Sequence, residues 1–216
     1  MYFVVLLSSI YLNSLNIQAQ NKLSGRISIS GAFALYPLAV KWAEEFKKAN
    51  PGVNIDISAG GAGKGMTDVL NNMVDIGMVS REIYPEETKK SAFTFAVAKD
   101  AVVPVISASN PHLQKLLLTG IRKDVGISIW ITGKYKSWDN AFNVPRKEPI
   151  HIYTRSDACG AAEIWAKYLG KKQEDLGGSG VFGDPGLALA VKKDALGIGF
   201  NNIGYAYDYK TKMLTK

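Results

Sequence analysis

A layered α/β fold with a largely parallel sheet is the class this sequence predicts, on three observations. Short runs alternate apolar and polar residues, as in Ile27 and Ile29 with Ser28 and Ser30, and again at Val53, Ile55 and Ile57. Between those runs Leu38, Trp42 and Phe46 recur every four residues, the spacing of one helix face. Strand, helix, strand, helix, strand then succeed one another within about fifty residues, the rhythm of parallel crossover units.

Composition sets the outer limits. The 216 residues carry 26 Lys+Arg against 19 Asp+Glu, a net charge of +7, with 47% hydrophobic residues. Ten Tyr, eight Phe and four Trp can fill a core, which excludes a disordered or collagen-like chain. The length suits one domain or two small lobes. One cysteine, Cys159, excludes an intrachain disulfide and a CxxC zinc site, and His112 and His151 lie too far apart to give a metal-ligand spacing. Lys and Arg are interspersed with acids rather than gathered with stacking aromatics, so the charge reads as solvated surface and not as a nucleic-acid footprint. No metal, cofactor or nucleic acid is expected.

Residues 2–12 are almost all apolar, residues 1–20 carry no charged side chain, and Asn13, Ser14, Asn16 and Gln18 follow the apolar run. This is the pattern of a signal peptide over 1–20, too short for the roughly 20 residues that cross a bilayer. A buried strand or core helix is the alternative. The expected location is extracytoplasmic, periplasmic or secreted.

The elements follow in order. The strand at Ile27 and Ile29 breaks at Gly31, and the helix bearing Leu38, Trp42 and Phe46 has Lys41, Glu44, Glu45, Lys47 and Lys48 opposite and stops at Asn50-Pro51-Gly52. The second strand enters Ser58-Ala59-Gly60-Gly61-Ala62-Gly63-Lys64-Gly65, and a short helix follows with Met66, Val69, Leu70 and Met73 inward. Residues 74–79 form a third strand. Pro85-Glu86-Glu87 starts a helix, 93–106 is extended, Asn110-Pro111 opens another helix, and 121–138 holds a helix and a turn at Thr132-Gly133-Lys134. Residues 150–154 are a strand, followed by a helix with Ile164, Trp165, Tyr168 and Leu169 buried. Asp184 is read as the N-cap of a last helix containing Leu187 and Val191, and Ile198 and Phe200 begin a closing strand.

Three times a β run passes through small residues into a helix, at 31–34, 60–65 and 156–161. Helix starts carry unpaired N–H groups and about half a positive charge, so each is a potential anion site. Arg155 precedes the third and could add a planar charged fork, while Ser80 and Arg81 follow the third strand. Any one such turn also serves packing alone; three with an adjacent arginine point to an anion. Two nucleotide motifs fail: Ser58 and Gly65 break the P-loop pattern around Lys64, and Met66 breaks the dinucleotide fingerprint after Gly61-Ala62-Gly63. Cys159 at a helix start is either a packing residue or a reactive thiol, with His151 the nearest histidine in sequence.

Six blocks in sequence, GAFALYPLAVKWAEEFKKANPGV (31–53), SAGGAGKG (58–65), VDIGMVSRE (74–82), IWITGKYKSW (129–138), TRSDACGAAEIWAKYLG (154–170) and LGIGFNNIGYAYD (196–208), resemble the PstS-like phosphate-binding branch of the type II periplasmic binding proteins, the solute receptors of ABC transporters. The resemblance implies a two-lobed α/β fold with mixed, mostly parallel sheets and a ligand cleft between lobes. It implies lobe 1 at 25–104 plus 196–216, its C-terminal part either cut short or reduced, and lobe 2 at 105–195. It also implies a monomeric, non-enzymatic protein that binds phosphate or a related small oxyanion and meets ABC permease subunits. Carried across, the ligand-binding positions are Ala32, Phe33, Ala34, Ala62, Gly63, Ser80, Arg155, Cys159, Gly160 and Ala161. Where the family usually has Ser or Thr hydroxyls, this chain has Phe33 or Ala34, Ala62, Cys159 and Ala161, so a non-phosphate anion, or an enzyme or sensor with Cys159 as reactive thiol, are the alternatives.

Overall fold

A computed structural model describes residues 22–90, 92–208 and 213–214; the expected signal peptide at 1–20 lies outside them. The first half is a three-stranded parallel sheet with the order β2-β1-β3, where β1 is Ser24–Gly31, β2 is Gly52–Ala59 and β3 is Ile76–Met78. Helix α1 (Tyr36–Ala49) connects β1 to β2, and α2 (Ala62–Leu70) connects β2 to β3. Parallel neighbours need such crossovers because a tight turn can only reverse a chain. Both connections therefore start at the carboxyl end of the sheet.

Helix α3 (Pro85–Thr88) and an irregular stretch lead to a four-stranded sheet of order β4-β7-β5-β6. Its strands are β4 (Val102–Ile106), β5 (His151–Arg155), β6 (Ser179–Val181) and β7 (Gly197–Asn202). Strand β5 runs parallel to β6 and β7, while β4 runs antiparallel to β7. Helices α4 (Leu113–Thr119), α5 (Lys123–Gly126) and α6 (Trp138–Phe142) lie between β4 and β5, with a π-helical turn at Ile127–Ile131. Helices α7 (Gly160–Tyr168) and α8 (Asp184–Lys193) follow β5 and β6. The mixed, mostly parallel sheets with flanking helices match the class read from the sequence.

The main core belongs to the second sheet. Trp130, Trp138, Ile198 and Phe200 are fully buried there, and the Trp165 ring stacks on Phe200 at 5.8 Å. All six residues of β7 are buried, because α7 and α8 contact it and β4 and β5 flank it. Among the described residues the first sheet carries a small cluster of Ala32, Ala39, Ala62 and Met78.

Several local expectations are corrected by this packing. Residues 197–202, assigned with 196–216 to the first lobe, pair instead in the second sheet, and so does Val102–Ile106, most of which fell on the first-lobe side of the expected boundary. Ile198 and Phe200 complete the tryptophan cluster, which fixes β7 there. Helix α1 buries only Ala39; Leu38, Trp42 and Phe46 stay about two-fifths exposed, because no described element packs over that face. Ile164, Tyr168 and Met73 are likewise exposed, whereas Met66, Trp165, Leu169, Leu187 and Val191 are buried as the spacing implies. Of the extended stretch at 93–106, only Val102–Ile106 pairs into a sheet. Asp184 is the first residue of α8 rather than its cap; Gly183 stands at the cap position.

Candidate functional site

Parallel sheets place their helix starts at the carboxyl ends of the strands, which is where open α/β folds hold ligands. Here the turns after β1, β2 and β3 meet the turns after β5 and β6. The Gly63 amide donates to the Ala158 carbonyl at 3.2 Å, and the Tyr205 hydroxyl donates to the Phe33 carbonyl at 3.0 Å. Ser80 sits against Gly160 so closely that a Cβ there would lie 2.0 Å from the Ser80 carbonyl oxygen and 2.3 Å from its Oγ. Only glycine allows this approach, and it brings the serine hydroxyl to the first turn of α7.

Arg155, at the end of β5, stands in the middle. Its side chain is wholly shielded from solvent, and its Nε and Nη2 donate in a fork to Asp157 Oδ1 at 2.9 Å and Oδ2 at 2.6 Å. Nη1 lies 3.0 Å from Asp184 Oδ2 and pairs with it as an ion, but at an angle that makes no hydrogen bond, so the N–H groups of this buried nitrogen are not hydrogen-bonded. The two acids are fixed from behind. Gly183 N donates to Asp157 Oδ1 at 3.1 Å, Asn202 Nδ2 donates to Asp184 Oδ1 at 2.5 Å, and Asn201 Nδ2 donates to the Asp184 carbonyl at 2.9 Å. Within this group one guanidinium faces two carboxylates.

Aromatic side chains close one side. The Phe33 ring lies 5.8 Å from the Arg155 guanidinium carbon, packs on Gly183 and meets Phe182 edge-to-face at 5.8 Å. Tyr205 joins them through its bond to Phe33, and burial followed by the nearby Asp184 charge pushes its phenol up to about 12. The two halves are also linked further out. Tyr84 OH donates to Glu163 Oε2 at 2.8 Å, Arg81 Nε lies 3.5 Å from the same oxygen, and Lys167 pairs with Glu82 at 2.6 Å.

The expected residues distribute as follows. Ala32 and Ala62 are buried together in the small cluster, and Ala34 is half-buried in the turn after β1. Phe33 contacts Arg155, Ser80 contacts Gly160, and Gly63 spends its amide on Ala158. Cys159 caps α7: its Sγ accepts from Ala162 N at 3.4 Å, and its own amide donates to Gln173 Oε1 at 3.2 Å. Gly160 and Ala161 are the first two helical residues, whose amides have no partner within the helix. Burial pushes the Cys159 thiol up to about 12, and His151 is bound to Asp194 at 2.7 Å, so the geometry supports the packing and capping role of the cysteine.

Sequence reasoning missed Asp157, Asp184, Phe182 and Tyr205. Asp157 was detectable, two residues beyond the arginine it grips. The others reach Arg155 or Phe33 only through the sheet order β5-β6 and β5-β7, which no local pattern reveals.

Comparison with known proteins fits this geometry. Over 117 residues the chain is 37% identical to the phosphate-binding protein PstS 2 of Streptococcus pneumoniae, covering 54% of this chain and 38% of that protein. Over 157 residues it is 32% identical to the phosphate-binding protein PstS of Bacillus subtilis, covering 72% and 50% respectively. The chain thus spans half or less of the length of these two relatives. Among solved structures, a substrate-binding protein from Clostridium perfringens with bound phosphate superposes with a TM-score of 0.73 at 24% identity, over 84% of this chain and 72% of that one. The model of the PBP superfamily domain matches residues 16–216, and the chain belongs to that family.

Proposed function

We propose that this chain is a solute-binding protein that holds phosphate or a related oxyanion between two lobes and delivers it to the permease subunits of an ABC importer. One observation carries the reading: strand-to-helix turns from both sheets converge on Arg155, whose buried Nη1 is ion-paired with Asp184 but makes no hydrogen bond. The names of the two relatives, both phosphate-binding proteins, support it.

In this reading Arg155 Nη1 donates to one ligand oxygen, Asp157 holds the guanidinium in register, and the amides of Gly160 and Ala161 with the Ser80 hydroxyl receive the others. Ala32, Phe33, Ala34, Ala62 and Gly63 form the facing wall. Nothing in this set activates a nucleophile, so the activity is binding and release. The protein works outside the cytoplasm, as solute capture for import requires, and acts there as a monomer. Lobe 1 runs from about residue 25 to the segment before β4, and lobe 2 from β4 to β7.

The test is thermal unfolding against phosphate, sulfate, molybdate, tungstate and small carboxylates. Ligand at 100 times its Kd adds about 2.7 kcal/mol, a shift of several degrees for a chain of this size. A selective shift with one anion is expected; a folded sample that shifts with none contradicts the reading.

A further inference from the structure

Phe33 is the residue of this site whose chemistry an inorganic oxyanion does not use. Its ring faces the Arg155 guanidinium at 5.8 Å, rests on Gly183 and forms an edge-to-face pair with Phe182. The turn is held in this position by the Tyr205 hydroxyl on the Phe33 carbonyl. An anion that reaches Arg155 Nη1 therefore meets an aromatic surface beside the guanidinium, with Asp184 Oδ2 3.0 Å from the same nitrogen.

The supply of donors is short for a bare tetrahedral ion. Ala32, Phe33, Ala34, Ala62 and Ala161 bring no hydroxyl, the Cys159 sulfur accepts from Ala162 N and offers only a weak S–H donor, and the Gly63 amide is spent on Ala158. Each buried acceptor oxygen left without a donor is costly. A monosubstituted anion has one oxygen fewer to satisfy and an organic group to set against the rings.

Resting on the oxyanion-binding reading above, we propose that Phe33, with Phe182, makes this cleft selective for an organic oxyanion carrying an aromatic substituent over inorganic phosphate. The anionic head engages Arg155 Nη1 and the start of α7, and the substituent packs on the Phe33 ring, where offset and edge-to-face contacts are favourable.

Calorimetric titration of the full chain with inorganic phosphate, methylphosphonate and phenylphosphonate tests this. The two phosphonates share a head group and differ in the ring. Phenylphosphonate is expected to bind at least about tenfold more tightly than either of the others, and Phe33→Ser is expected to remove that margin. Phe33→Leu, which keeps apolar contact with Gly183 and Phe182 without an aromatic face, is expected to reduce the margin in a folded protein and guards against a misfolded serine variant. Phosphate binding as well as or better than phenylphosphonate overturns this inference alone, as does a margin that survives both substitutions. Absence of binding by all three probes to folded protein overturns the oxyanion reading itself.

Discussion

Arg155 is held by more than a ligand's needs. With its side chain fully buried between Asp157 and Asp184, it is a structural ion as well as a candidate binding group. Removing one member of a buried ionic cluster leaves the others uncompensated, which typically costs about 3–5 kcal/mol. Arg155→Ala is therefore expected to lower stability by that amount in urea unfolding, and Asp184→Asn added to it is expected to recover part of the loss. An Arg155→Ala protein as stable as wild type would mean that the cluster is not buried as described. Loss of binding in that variant alone says little about the ligand. The sequence placed Arg155 correctly at the head of a strand-to-helix turn; its second carboxylate was hidden because Asp184 reads locally as a helix cap and meets Arg155 only across neighbouring strands.

Elements divide by how their apolar faces are covered. Helix α8 sets Leu187 and Val191 against β7, and Leu187 is fully buried. Leu187→Ala should cost about 2–5 kcal/mol, as core truncations do. On α1 the same four-residue spacing leaves Leu38 38% exposed, and Leu38→Ala should change stability by no more than about 0.5 kcal/mol. Chemical unfolding of the two variants side by side checks the contrast, and equal losses would show that α1 is packed in solution. Periodicity predicted both helices because it reports which face is apolar. It does not report whether anything lies against that face, so the buried face read for α8 held, though its cap is Gly183, and the α1 reading held only as far as the helix itself.

At the scale of the molecule, the alternation of strands and helices was legible over β1 to β3 and from β5 to α7, and with it most of the turns that build the site, whereas β6 and the turn after it were not. The assignment of β7 to the second sheet was not, since strand pairing between residues about a hundred apart depends on side-chain packing around Trp130 and Trp165 that no window contains. The two halves meet through the turns and through the segment from Arg81 to Glu87. Arg81 donates to both oxygens of Glu87 and holds its carboxyl below the ordinary value of 4.5. A depressed folded value means that this pair adds stability above the unfolded pKa and loses it as pH falls through the folded one. Unfolding followed from pH 7 downward should show an acid limb beginning near pH 4.5 that is shallower in Glu87→Gln. An unchanged limb would remove Glu87 from the account.

The central claim is that turns from both sheets form one oxyanion site around Arg155. Amide chemical shifts of the folded, isotope-labelled chain, followed during titration with phosphate and with phenylphosphonate, test it most directly. The account predicts saturable changes concentrated at Phe33, Ala34, Gly63, Ser80, Gly160 and Ala161 for at least one of the two. Changes scattered over surface lysines, or none at saturating anion, would contradict it.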